Sequence, residues 1–160
     1  MAALTKELAM VPVRGALGAT MVYHGTQKLR AERAAATAAW FESIGVKPGA
    51  TWARWTGIIE LAAGASAVLG LGTRLAALAI LVTQGVAIAK VHAAKGFDNT
   101  SGGYEFNLLL AAAALGLLVA GPGHVSAHEA LERGLQRKAR RSFWMRRGPT
   151  RAVRAVKLVK

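Results

Sequence analysis

The sequence predicts an all-α fold: an integral membrane four-helix bundle followed by a basic cytoplasmic C-terminal tail. Three observations carry that expectation. The chain is 53% hydrophobic and only 18% charged, with a mean hydropathy of +0.32 over 160 residues, a balance typical of membrane proteins. Long apolar segments recur about four times, whereas a soluble chain of this length can seldom bury more than one segment that is apolar on every side. The formal charge of +13 is also localised. Of the 21 Lys and Arg, 11 lie in Arg133–Lys160 with no acid among them, while Met1–Glu132 carries 10 against all 8 Asp and Glu.

The elements follow in order. A first span is expected over about 8–26, with Pro12 in its early turns, where a missing N–H costs little. Gly18, Met21 and Gly25 share a face with Arg14 and Lys28, which should therefore turn inward. Arg14 also interrupts what would be the apolar core of a signal peptide, so this segment reads as a retained helix. The segment Gln27–Thr51 is polar and mixed. Its Ala-rich start favours a short interfacial helix carrying Trp40 and Phe41, broken by Gly45 and by Pro48 with Gly49.

A second span is expected over about 52–72. Between Gly57 and Thr73 its only ionisable residue is Glu60, and Gly57, Glu60, Gly64 and Ala67 fall on one side, the pattern of a tight interhelical seam around a lone acid. The glycines at 70 and 72 make a short turn into a third span, 74–92, with Gln84, Ile88 and His92 on a common face. A polar loop, Ala94–Gly103, leads to a fourth span over 104–120, ended by Gly121, Pro122 and Gly123. Ser126 and Glu129 have capping-box spacing, which predicts a helix starting at Ala127. Leu131, Leu135, Phe143 and Trp144 among arginines fit an amphipathic helix lying on the membrane surface. The domain reading is thus 1–131 for the helical domain and 132–160 for the basic tail.

The tail orients the chain. Its lysines and arginines outweigh those between the first and second spans, which puts both termini in the cytoplasm of a multi-pass protein. A polybasic segment after the last span grips anionic lipid, so the bilayer is the expected partner and nucleic acid is not. The chain has no cysteine. It can form no disulfide, thiol relay or cysteine-ligated cluster, and redox chemistry would need a bound cofactor or a partner. No nucleophile triad, phosphate loop or dinucleotide fingerprint is present, and no metal site is expected, because no second His or carboxylate stands at ligand spacing from His24 or His92.

Two candidate sites follow. Arg14 lies about 18 Å down from Thr26 and Glu60 about 12 Å down from Trp52, and the two are expected to pair across the first and second spans, because each alone in hydrocarbon would cost several kcal/mol. That pair is either a structural clip or the lining of a cavity for a polar head group. A second cluster is expected near the outer ends, from His24, Lys28, Lys90, His92 and Glu105, with Lys90 and Glu105 neutralising each other. The histidines are interfacial residues on one reading and a mouth for a quinone carbonyl or an anion on the other. His124 and His128 read as surface residues.

The order of these features resembles the DoxX family of small bacterial membrane proteins. The matching pieces are RGALGATMVYHGTQKL at Arg14–Leu29, GIIELAAGASAVLGLGTR at Gly57–Arg74, AIAKVHAAKGF at Ala87–Phe97, YEFNLLL at Tyr104–Leu110 and GPGHVSAHEAL at Gly121–Leu131. His128 stands where the family usually has an aspartate. The resemblance implies a four-helix bundle in the bacterial plasma membrane, working in redox or sulfur metabolism. In some relatives this is thiosulfate oxidation linked to quinone; in others it is an oxidative-stress complex with soluble partners of superoxide dismutase or sulfurtransferase type. Three functions are consistent with the residues: a non-autonomous oxidoreductase subunit with a quinone near Glu60 and Arg14, a non-catalytic anchor that uses the basic tail, and a small-molecule or lipid carrier. Most transport schemes would require the carrier to form a homo-oligomer.

Overall fold

In the computed structural model, which describes residues 2–136, the chain is all-α, with no strand among the described residues. The elements are α1 (Ala2–Leu29), α2 (Ala31–Ser43), α3 (Gly49–Leu69), α4 (Thr73–Ala87) and α5 (Glu105–Ala120). A π-turn at Ile88–His92 and a 3-10 turn at Ala93–Lys95 continue α4, so the helical run reaches Lys95. Residues 127–136 form a further helix, α6, in a second compact unit that begins at Ala127.

The helix ends explain themselves locally. α1 starts well before Leu8, because Ala, Leu, Lys and Glu in its first turns are strong helix formers; Pro12 therefore falls inside the helix rather than in its early turns. Gly45 and Gly70 close α2 and α3 with left-handed backbone, and both make the paired 6→1 and 5→2 bonds of a Schellman cap. Val46 N–H donates to Phe41 O at 2.9 Å and Gly45 N–H to Glu42 O at 3.0 Å; Leu71 N–H donates to Ser66 O at 3.0 Å and Gly70 N–H to Ala67 O at 3.2 Å. Glu42 turns from the end of α2 to accept from Gly49 N–H, the first amide of α3, at 3.2 Å. α3 therefore begins at Gly49, earlier than the tryptophans suggest.

Within residues 1–126, α1 packs on α3 and α5, α3 on α2 and α4, and α4 on α5. The interior is built from Leu17, Met21, Ala63, Ala67, Ala77, Ile80, Ala114 and Leu117. Large apolar side chains also point outward along every long helix: Leu75 is 76% exposed and Val119 74%, and Trp55, Leu78, Val82 and Leu109 are exposed as well. Large apolar side chains outside and an interior in which alanines alternate with a few large residues reverse the arrangement of a soluble protein. By length and composition one helical run, Thr73–Lys95 with mean hydropathy 1.7, is long and apolar enough to cross a membrane, and α5 is a shorter apolar helix. The charges of α1 and α3 dilute the hydropathy that the sequence pattern assigns to four segments.

α6 starts at Ala127, where the Ser126 and Glu129 spacing expects it. On its surface Glu129 accepts from Arg133 Nε at 2.9 Å, and His128 lies 3.4 Å from Glu132, both one turn apart. The remainder of the expected amphipathic tail, from Arg137 onward and including Phe143 and Trp144, lies outside the described residues.

Candidate functional site

The register of α1 against α3 decides where every buried charge goes. At Gly18 an added Cβ would lie 2.6 Å from Gly64 O, and at Gly25 it would lie 2.7 Å from Gly57 O; the converse approach at Gly64 meets Gly18 O at 2.6 Å. The antiparallel helices thus touch backbone to backbone, with Gly18 opposite Gly64 and Gly25 opposite Gly57. In that register Glu60 faces Val22. Lys28 is then about 9 Å away along the axis toward one end and Arg14 about 12 Å toward the other, at 1.5 Å per residue. Helical side chains lean toward their own N-terminus, so Glu60 and Lys28 converge, whereas Glu60 and Arg14 diverge.

The result is an ion pair of Lys28 Nζ with Glu60 Oε2 at 2.6 Å, the Glu60 residue being 6% exposed. The expected Arg14–Glu60 pair does not form. Axial depth counted from the helix ends brings the two residues close, but it neglects the direction in which each side chain leans.

Beside the ion pair lies a cavity of about 580 Å³. α1 contributes His24 and Lys28; α2 contributes Trp40 and Phe41, with Ile44 just after it; α3 contributes Trp52, Trp55, Ile59 and Glu60. The far side comes from Val82, Gln84 and Val86 of α4, from Lys90 and His92 in the π-turn, and from Phe106, Asn107 and Leu110 of α5. The polar groups are tied to one another. Asn107 Nδ2 donates to Gln84 Oε1 at 2.9 Å, Gln84 Nε2 approaches Met21 Sδ at 3.6 Å, and His24 lies edgewise to Tyr23 and 6.5 Å from Phe106, centroid to centroid. His92 Nδ1 is 2.7 Å from Gly102 O. A carbonyl can only accept, so Nδ1 carries a proton and donates it to this bond.

Four of the five outer-end residues named from sequence, His24, Lys28, Lys90 and His92, therefore line one cavity, and Glu60 joins them there. Glu105 does not. Its carboxylate accepts from Asn99 N–H at 3.3 Å, at the start of α5, and makes no ion pair with Lys90. The expected neutralisation of Lys90 by Glu105 fails because the polar loop folds back and its backbone takes the acid. Reading the sequence also missed Asn107 and the aromatic wall. Asn107 is a lone amide in an apolar run, and that run, YEFNLLL, is the one signal that marks it.

Arg14 lies near the middle of α1, beyond the Gly18–Gly64 contact from Glu60, and is 4% exposed. Its guanidinium donates to Val68 O at 3.3 Å, to Val125 O at 2.9 Å and to Pro122 O. All three acceptors are backbone carbonyls, one in the last turn of α3, where the helix dipole favours a cation, and two in the loop after α5. This is a clip between segments, and Arg14 does not line the cavity beside Glu60. Among the described residues no group of His, Asp and Glu stands ready to hold a metal ion.

An all-helical chain with an apolar exterior and its charges paired inside has the construction of a membrane protein. A family model, DoxX, matches residues 9–93, more than half of the chain, and the chain belongs to the DoxX family, whose members are membrane proteins. The match spans Arg14, His24, Lys28, Glu60, Gln84, Lys90 and His92 and ends before Glu105 and Asn107. No curated protein and no solved structure is similar enough to this chain to count as a match.

Proposed function

We propose that this chain is a multi-pass component of the bacterial plasma membrane, with α1, α3, α4 and α5 as a four-helix transmembrane bundle and both termini cytoplasmic. In this reading it is the membrane subunit of a redox system that binds a quinone head group in the cavity and exchanges electrons with a soluble partner. The observation that carries the reading is the cavity itself. Its volume lies within the range of small-molecule sites. Aromatic side chains from α2 and α3 form one wall, and hydrogen-bonding groups from α1, α4 and α5 converge on the other. The outward leucines and valines of α4 and α5 support the membrane placement.

The residues fit such a head group. Trp52, Trp55 and Phe106 offer flat apolar surface for a ring. Lys28 spends one of its three donors on Glu60 and retains others for a carbonyl oxygen; the Gln84–Asn107 amides and His24 supply further partners. A quinone, when bound, supplies two-electron, two-proton chemistry. The chain's part is to orient the ring, to exclude water from around it and to keep the hydrogen-bonding ion pair of Lys28 and Glu60 beside it. With no cysteine, electrons come through the soluble partner, of the superoxide dismutase or sulfurtransferase type that the family resemblance implies.

The test is purification of the tagged chain from its own membranes in mild detergent, with mass spectrometry of co-purifying proteins and extracted small molecules. A redox enzyme together with stoichiometric quinone is the expected outcome; a chain that emerges alone and empty overturns the reading. One observation favours a second function, a membrane anchor. The 11 basic residues of Arg133–Lys160 exceed what orientation alone requires. An anchor would recover soluble partners without quinone, would lose them on deletion of Arg133–Lys160 and would be indifferent to Glu60→Gln.

A further inference from the structure

The cavity lies where α3 and α4 part. The two helices are joined by the short turn at Gly70–Gly72, but the cavity is lined by the first half of α3 and the last half of α4, the ends remote from that turn. Trp55 and Ile59 on α3 and Val82 and Val86 on α4 line it and are also exposed, at 55, 40, 59 and 51%. Side chains that are both lining and outward-facing mark the rim of an opening, and this rim is apolar. The polar end is different. Lys28 and Glu60 cancel each other's charge, and Gln84 and Asn107 are neutral. The remaining cation, Lys90, is exposed and belongs to the π-turn at the outer mouth.

We propose that this α3–α4 cleft is a lateral portal, through which the site takes a lipid-borne ligand with a neutral, hydrogen-bonding head and a long apolar tail. The head rests against Lys28–Glu60 and Gln84–Asn107, and the tail leaves between Ile59 and Val82 into the hydrocarbon. Charge complementarity selects the neutral head: an anionic head would find its only uncompensated cation at the mouth, and a cationic head would compete with Lys28 for Glu60. The inference rests on the quinone reading above and adds to it the route of entry and the ligand's tail.

The protein carries its own probe. Three of its four tryptophans, Trp40, Trp52 and Trp55, line the cavity, and quinones quench indole fluorescence at contact distance. The experiment uses the full chain carrying Trp144→Phe, reconstituted in phosphatidylcholine nanodiscs and titrated with two ubiquinones of identical ring, one tailless and one long-tailed. Both should quench. Val82→Trp narrows the cleft and should weaken binding of the long-tailed quinone by about tenfold more than it weakens binding of the tailless ring, which has no tail to pass through the cleft. The retained response also shows that the variant is folded, and Val86→Trp repeats the test one turn away. Each variant's quenching is expressed relative to its own fluorescence before quinone is added. If Val82→Trp and Val86→Trp weaken both quinones equally or neither, or if the tailless ring alone quenches the parent chain, the portal is overturned and the quinone site stands. If neither quinone quenches the parent chain, the quinone reading falls and the portal with it. A fatty acid that displaces the long-tailed quinone at equal concentration overturns the neutral-head assignment.

Discussion

Arg14 and Glu60 are both buried charges, and they lie on facing helices, yet the protein treats them by opposite means. Arg14 is answered by main chain: three carbonyls from two segments surround the guanidinium. Glu60 is answered by a single flexible side chain, Lys28, and beside that pair the packing stops and a cavity begins. Backbone carbonyls cannot move aside without unfolding something, whereas a lysine on a four-carbon stem can. A buried charge held by backbone fixes geometry, and one held by a side chain at a cavity edge is available for chemistry.

The largest effect that would test this contrast is at Arg14. Arg14→Leu strands the carbonyls of Val68, Pro122 and Val125 and should cost roughly 3–5 kcal/mol, read as a loss of denaturation midpoint in detergent. Arg14→Lys should recover only part of it, because a point charge cannot serve three carbonyls as a planar fork does. Next is the seam that sets the register. Gly64→Leu drives a side chain into Gly18 O and Val22 N and should destabilise by about 1–3 kcal/mol or more. It should also disturb the Lys28–Glu60 pair, which depends on the register; Gly85→Leu, where an added Cβ meets nothing within 4 Å, is the control.

At Glu60 the expected pattern inverts. Glu60→Gln should change stability by only about 1 kcal/mol, since Lys28 is partly exposed and can turn to water, but should weaken quinone binding by about tenfold, the loss of one charge-assisted contact. The double variant Lys28→Met with Glu60→Gln should be no less stable than Glu60→Gln alone. If Glu60→Gln instead loses as much stability as Arg14→Leu, the two charges are alike and the contrast fails. The smallest effect is at Asp98, in the loop after α4. Its carboxylate accepts from Thr100 N–H and from the Thr100 hydroxyl, which holds its pKa below the ordinary value. A depressed folded pKa stabilises the loop above the unfolded pKa, and that stabilisation is lost as pH falls through the folded one. Protection of the Thr100 amide from hydrogen exchange should therefore fall on acidification below the carboxylate range, and Asp98→Asn should remove that dependence.

The contrast also marks what the sequence could convey. Helix positions were legible because glycines, prolines and apolar runs act locally: the Gly45, Gly70 and Gly121 stops and the Ala127 start all fall where their residues put them. The small-residue seam was legible too, because Gly18, Gly25, Gly57 and Gly64 share a period. The partners of the charges were not. Which cation reaches Glu60 depends on the antiparallel register and on the lean of each side chain, and neither is written in one helix alone. The cavity was half legible. Its titratable residues announced themselves, while Asn107 and the α2–α3 aromatic wall acquire meaning only when five helices meet.

The Gly70–Gly72 turn has one more implication. Arg14 touches its first residue: an added Cβ at Gly70 would lie 2.9 Å from the guanidinium carbon. The clip therefore sits at the vertex of a pair of tongs, and the cavity sits between the tips. From Thr73 to Val86 α4 extends about 20 Å, so a swing of about 5° at the vertex would carry Val86 by about 2 Å. A small change of angle beside Arg14 would thus be felt at the cavity, which Arg14 itself does not line.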